Sequence, residues 1–196
     1  MNMDPTADYD EKWFKIKARE HLEWYQGFAR ALYEEFSPAA AADVGCGCGT
    51  ILDSLFERGV KVCGWDGSQN AFCVIPRRIA EFITIHDFQN GFPDVDTGFD
   101  LAICMEVAEH LPQGCADGLV RFLTGLSDTV YFTAASPGQG GRFHVNEQPP
   151  QYWADKFLKL GFKVNVSRTK RLIELMLRYS NGAFWVIKNS LVFEKC

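Results

Sequence analysis

The chain has 196 residues, 47% of them hydrophobic and 14% aromatic, which is enough to bury a full core in one globular domain. A formal net charge of −5 and a pI near 5.4 argue against a surface built mainly to hold nucleic acid by its phosphates. Seven cysteines, an odd number behind no signal-peptide pattern, point to reduced thiols in a cytoplasm, and no apolar run approaches a membrane span.

Residues 1–10 carry Asp4, Pro5, Asp8 and Asp10 and read as a polar, mobile start. One helix is expected from about Glu11 to Phe36, because Leu22, Tyr25, Phe28, Ala29, Leu32, Tyr33 and Phe36 recur at three and four residues with charges between them. Trp13, Phe14 and Trp24 fall partly outside that stripe, either as extra core contact or as cover for a ligand mouth. After Ser37-Pro38, strands and helices alternate as a parallel sheet with covering helices requires. The expected strands are 40–44, 61–65 ending at Asp66, 82–86 ending at Asp87, 99–105, 129–134, 162–166 and 190–194. Helices are expected at 50–58 with Gly59 as a left-handed cap, at 69–82 interrupted near Pro76, and at 115–126, 150–160 and 169–179. Residues 136–148 hold three glycines and no helical period, a length at which a loop is usually functional.

The most informative stretch is Asp43-Val44-Gly45-Cys46-Gly47-Cys48-Gly49-Thr50, a glycine-rich turn between the first strand and the helix after it. Glycines at alternate positions clear one edge of the turn, so its backbone can lie against a ligand and point amides at it. Cys46 and Cys48 are read as filler, because no second closely spaced pair completes a four-ligand zinc site. Asp43, Asp66 and Asp87 each end an expected strand, and in an open parallel sheet such ends line one ligand crevice. Asp66 lies 23 residues after Asp43, about where an acid on the second strand reaches a ribose diol, a double donor that a carboxylate can accept. Asp87 and Phe88 offer an acceptor and an apolar wall suited to adenine. These features point to a nucleoside-containing cofactor. The spacing is G-x-G-x-G with an acid in front, rather than the G-x-G-x-x-G of a dinucleotide site, so a nicotinamide cofactor is disfavoured.

These motifs, with Gly64-Trp65-Asp66-Gly67-Ser68, Asp87-Phe88 and the run from Phe99 to Met105 followed by Glu106-Val107-Ala108-Glu109-His110-Leu111, resemble the ordered motifs of class I S-adenosylmethionine-dependent methyltransferases. The resemblance spans about residues 40–195. It implies an α/β, single-domain, Rossmann-like doubly wound sheet of seven strands, mostly parallel with the last antiparallel, behind a leading segment over residues 1–38 that covers the cofactor mouth. By position, Asp43 and the turn with Gly45, Cys46, Gly47 and Gly49 would hold the methionine part of S-adenosylmethionine. Asp66 with Gly67 and Ser68 would take the ribose, Asp87 and Phe88 the adenine, and Cys104, Met105 and Glu106 would lie near the sulfonium.

Methyl transfer from an activated donor needs alignment of the acceptor, and a base only where the acceptor must lose a proton. Glu109, His110 and His144 are the candidates for that base, His144 lying in the long loop after the fifth strand. Glu106-x-x-Glu109-His110 with a distant His144 also resembles the two-glutamate, two-histidine metal site of small-RNA 2′-O-methyltransferases, and a related stretch occurs in ubiquinone-pathway O-methyltransferases. Mixed carboxylate and imidazole ligands suit a divalent ion that activates a hydroxyl. The same segment occurs in metal-free members, where it caps a helix and lines the pocket. The acidic balance favours a small hydroxylated acceptor over nucleic acid. The stretch Arg168–Arg178, mixing basic and apolar residues, is either a packed helix or a membrane-surface contact. A non-catalytic S-adenosylmethionine-binding subunit working with a partner chain is the competing class; intact Glu106, Glu109, His110 and His144 favour the enzyme. The motifs specify neither the acceptor nor an oligomeric state.

Overall fold

In the computed structural model, which describes residues 10–95 and 97–196, alternating side chains on each strand send apolar groups to both faces of a central sheet. On β1 (Ala40–Val44), Ala41 packs to one side while Ala42 and Val44 pack to the other. The pattern repeats on β4 (Leu101–Met105), where Leu101 and Ile103 oppose Ala102 and Cys104. On β5 (Thr129–Thr133), Tyr131 opposes Val130 and Phe132. Burial on both faces is what a parallel sheet sandwiched between helices demands.

With β2 (Lys61–Asp66), β3 (Ile83–Ile85), β6 (Phe162–Val164) and β7 (Leu191–Lys195), the sheet has seven strands in the order β3-β2-β1-β4-β5-β7-β6. β7 runs antiparallel to β5 and β6, and the other pairings are parallel. The strand order reverses between β1 and β4, so the crevice beyond their carboxyl ends is where a ligand fits. One face is covered by α2 (Leu22–Phe36), α3 (Thr50–Phe56), α6 (Val166–Tyr179) and α7 (Phe184–Asn189), and the other by α4 (Ala116–Leu126) and α5 (Pro150–Lys159).

Three expectations need correction. The single helix over 11–36 is two helices, α1 (Glu11–Glu20) and α2, separated at His21, whose φ of −105° and ψ of 7° leave the helical region. The helix expected over 69–82 is absent: only short 3-10 turns form, at Gln69–Cys73 and Ala80–Phe82, on either side of Pro76. α7 has no counterpart in the sequence reading; it starts after Ala183, a non-glycine residue at φ +52°. Gly59, expected as a left-handed cap, has φ +82°, and Val60 N donates back to Leu55 O at 3.2 Å. The polar start falls outside the described residues except for Asp10, which caps α1 by accepting from Trp13 N at 2.7 Å.

The apolar stripe of α6 packs inward through Leu172, Leu175 and Met176. Its Arg171 reaches the buried Glu35 of α2 at 2.8 Å, so the helix ties the carboxyl half to the leading segment. Among the described residues no helix is long and apolar enough to cross a membrane.

Candidate active site

The turn after β1 is shaped by Gly45, Gly47 and Gly49 at φ of +78°, +52° and +71°, a conformation L side chains adopt only with strain. Gly45 N and Cys46 N both donate to Trp65 O, at 2.7 and 2.9 Å, locking the turn onto the end of β2. The Asp66 carboxylate completes the clamp, accepting from Gly47 N and from Ser68 N at 2.8 Å each. A side chain at Gly45 would strike Val107 at 2.3 Å, so the turn and the segment after β4 touch backbone to side chain. No atom lies within 4 Å of where a Gly47 side chain would stand, which leaves that edge open to the cavity.

That cavity measures about 740 Å³ and runs along the carboxyl ends of β1, β2 and β4. Of the residues read from sequence, Asp43, Gly45, Cys46, Gly47, Asp66, Gly67, Ser68, Asp87, Phe88, Met105, Glu106, Glu109, His110 and His144 all line it. Gly49 and Cys104 stand off the wall. Gly49 turns the chain into α3 against Ile79 and Ile83, and the Cys104 side chain is buried in the core. Asp87 caps a short 3-10 turn by accepting from Gln89 N at 2.9 Å, and Phe88 stacks on Phe92 with centroids 5.4 Å apart.

The segment after β4 carries the reactive groups. Glu106 sits at φ +54°, a strained conformation that its contacts hold in place. Its amide donates to Thr133 Oγ1 at 3.0 Å, the Thr133 hydroxyl donates back to its carboxylate at 2.8 Å, and Gln139 Nε2 donates at 3.3 Å. The next turn, Ala108–His110, is stitched to the long loop because Glu109 O accepts from both Val145 N and Asn146 N, at 2.9 and 3.1 Å. This stitching brings His144 to His110, with ring centroids 4.9 Å apart and the planes at 83°. One ligand-capable atom from each of Glu109, His110 and His144 lies within 4.8 Å of the others.

Burial governs the charges here. It pushes Asp43 up to about 8, with the neighbouring Asp66 adding to the rise. Asp66 is also raised by burial, against the pull of its two amide donors. Glu109 is fully buried and neither of its oxygens makes a hydrogen bond. Burial first and Glu106 second raise its pKa, although the amides of Glu109 and Ala135 lie near enough to oppose the rise. Burial and then His144 lower His110 to about 4, so its ring is neutral at neutral pH. His144 Nδ1 is 2.8 Å from Glu147 Oε1, and that hydrogen bond is the main reason Glu147 is held below the usual carboxylate range.

Trp13 and Trp24, weighed from sequence as cover for a ligand, line the cavity from α1 and α2, and sequence reading missed His21 and Trp185 of α7 beside them. His21 stacks on Trp24 at 4.2 Å, and Trp24 meets Trp185 edge-on at 6.1 Å. The aromatic excess at Trp13 and Trp24 was the visible signal for half of that group; nothing in the sequence marked Trp185. Lys17 and Arg142 are the cationic side chains on a wall otherwise rich in carboxylates.

Residues 42–125 match a family model described as a methyltransferase domain. Ubiquinone biosynthesis O-methyltransferase of Azoarcus sp. (strain BH72) is 33% identical over 75 residues, 36% of this chain and 32% of that protein. Its counterpart in Glaesserella parasuis serovar 5 (strain SH0165) is 36% identical over 80 residues, 36% of this chain and 34% of that protein. The chain thus matches about a third of the length of these curated relatives. Among solved structures, the magnesium protoporphyrin IX methyltransferase of Synechocystis PCC 6803, determined with S-adenosylmethionine bound, aligns at a TM-score of 0.69 and 14% identity, covering 99% of this chain and 98% of that one. At that identity the likeness is one of fold. The match gives the chain a methyltransferase domain over residues 42–125, carried on a sheet of Rossmann-like order with the glycine turn after β1.

Proposed function

We propose that the protein moves the methyl group of S-adenosylmethionine to an oxygen of a small hydroxylated molecule. The observation that carries this reading is the shared cavity: the glycine turn, the strand-end carboxylates and the Glu109–His110–His144 cluster all open into the same 740 Å³. Small-molecule pockets of roughly 300–1,000 Å³ are the norm, so the space suits the donor with a compact acceptor beside it.

The residues present fit the donor. Gly47 leaves an open edge for its methionine part. Asp66 accepts two amides and, with about four lone-pair sites on a carboxylate, retains acceptors for a ribose diol. Asp87 and Phe88, which would take the adenine, and Met105 and Glu106, which would face the sulfonium, all line the cavity. When bound, the donor supplies a methyl group already activated by positive sulfur. The chain's own part is to hold the acceptor in line, keep water out behind the aromatic rim and take the hydroxyl proton. His144 serves as the base in this reading, because His110, lowered to about 4, binds a proton too weakly to take one from a hydroxyl and has its ring hydrogen-bonded to the Phe143 backbone. Oxygen as the acceptor atom is supported by the two relatives named as O-methyltransferases.

A second reading has its own observation. Glu109 is buried with no hydrogen-bond partner for either oxygen, next to two imidazoles, and that donor set fits a divalent cation. Glu109, His110 and His144 would hold the ion, with Glu106 behind them, and it would lower the pKa of an acceptor hydroxyl. A quinone-type phenol then fits better than the 2′-hydroxyl of RNA, whose phosphates meet an acidic wall.

Calorimetric titration with S-adenosylmethionine, with NAD as the comparison ligand, tests the donor. Saturable binding lost in Asp66→Ala supports the reading, and binding of NAD instead overturns it. Transfer of labelled methyl to a panel of phenols and alcohols tests the acceptor, with amines and RNA oligonucleotides as the opposing set. Donor binding without transfer to any of them would favour the non-catalytic subunit. Titration with Mg²⁺ and Mn²⁺ separates the second reading: binding lost in Glu109→Gln supports a metal, and no binding removes it.

A further inference from the structure

The long loop between β5 and α5 is built around one carboxylate. Glu147 Oε2 accepts from Gly138 N and Oε1 from Gly140 N, both at 2.8 Å, and Oε1 also meets His144 Nδ1 at 2.8 Å. The two backbone donors fix the carboxylate where it is, independently of the imidazole. A carboxylate committed to accepting has no proton to give, so the hydrogen shared with His144 belongs to Nδ1. In a neutral ring the lone pair is then on Nε2.

The opposite edge of the ring is marked by a second residue. A side chain on Gly141 would fall 2.2 Å from His144 Nε2 and 2.3 Å from Cε1. Its backbone is not in the left-handed region, so turn geometry does not demand glycine here. What glycine provides is room for the Nε2 edge of the ring beside the cavity, which Gly141 and His144 both line.

We infer that Glu147 is a positioning residue that fixes His144 in its Nδ1–H tautomer, and that Gly141 keeps the Nε2 lone pair exposed to the acceptor side of the cavity. The inference rests on the methyltransferase reading for the purpose of that lone pair, whether it takes a proton or binds a cation. Holding the ring by its other nitrogen is how proteins orient an imidazole for either task.

The test is a long-range ¹H–¹⁵N correlation spectrum of ¹⁵N-histidine-labelled full chain, in chelator, at a pH above the histidine range. The chain has 4 histidines, so His144→Asn assigns the signal. The expected wild-type result is a His144 ring protonated at Nδ1 alone. Glu147→Gln should give a mixture of tautomers, since a carboxamide can donate as well as accept. Gly141→Ala removes neither backbone hydrogen bond to Glu147 yet should drive the ring off its site, giving the same loss of the pure form. In both variants kcat should fall at least tenfold while KM for the donor stays within twofold. An Nε2–H tautomer in wild type, an unchanged spectrum in both variants, or kcat within twofold of wild type would each overturn the inference. The spectrum decides this without turnover, whereas donor titration decides the underlying reading.

Discussion

Replacing Asp66 by asparagine keeps the shape of the side chain and removes one charge and one acceptor. In the folded chain the carboxylate takes Gly47 N on Oδ2 and Ser68 N on Oδ1, both at 2.8 Å. The carboxamide can keep one of these and must turn its own N–H₂ towards the other, leaving a buried donor facing a donor. Leaving such a group unsatisfied costs about 1–3 kcal/mol, and relief of the charged group's burial returns part of that. A net loss of about 1–2 kcal/mol lowers Tm by about 2–8 °C in a domain of this size. If the same carboxylate also accepts the ribose hydroxyls, each charge-assisted bond lost costs about 1.5–3 kcal/mol, so donor affinity should fall by about 10- to 150-fold. Scanning calorimetry and donor titration of wild type and Asp66→Asn measure the two effects separately. A lowered Tm with affinity within threefold of wild type would mean that Asp66 only clamps the glycine turn. No change in either quantity would refute the account of the turn itself.

The remaining predictions concern the turn and its charge. Gly45→Ala meets both a φ of +78° and a contact at 2.3 Å with Val107, and should cost about 2–4 kcal/mol in urea unfolding. Gly47→Ala meets only a φ of +52° in open space, so it should cost about 1 kcal/mol in stability yet weaken donor binding by crowding the cavity. Asp43 binds its proton more tightly folded than unfolded, its pKa being raised to about 8. The ligand-free protein should therefore lose stability as pH rises from about 4 through 8, and Asp43→Asn should flatten that slope in a pH series of unfolding curves. His110 has the opposite sign: lowered to about 4, it holds its proton less tightly folded, so its contribution falls away as pH drops from about 6.5 to 4.

Strand-level features were legible because they are short, locally encoded apolar runs. Ala41 beside Ala42 and Leu101 beside Ala102 are consecutive apolar residues that fit a sheet covered on both faces, and the glycine spacing betrays the turn. The segment between β2 and β3 was misread because topology asks for a helix there, while Pro76 removes a donor in the middle of it and only 3-10 turns survive. The break at His21 has no glycine or proline to announce it, and α7 spans six residues behind a strained alanine, too short for a periodic signal. The site itself was legible as a set of residue types and illegible as an arrangement. That His144 meets His110 follows from Glu109 O pairing with the loop backbone, a register no side-chain pattern encodes. Glu147 looked like any exposed acid until the loop amides were seen to converge on it.

The carboxylates explain why this crevice selects one kind of donor. Asp43, Asp66, Glu106 and Glu109 share a wall on which, among the described residues, Lys17 and Arg142 carry the opposite charge, and burial raises Asp43, Asp66 and Glu109 towards their neutral forms. Gathering acids where they resist ionisation works against the stability of the empty fold, which is the pattern expected where function overrides packing. A ligand bearing a fixed positive sulfur reverses the balance, because a nearby cation favours the charged carboxylate and turns the mutual repulsion of the acids into binding energy. A diphosphate-bearing dinucleotide would meet the same wall with charges of the wrong sign. The glycine spacing and the electrostatics therefore disfavour the same competitor for independent reasons, one steric and one coulombic. The two cationic side chains come from α1 and the long loop, on elements other than the strand ends that carry Asp43 and Asp66.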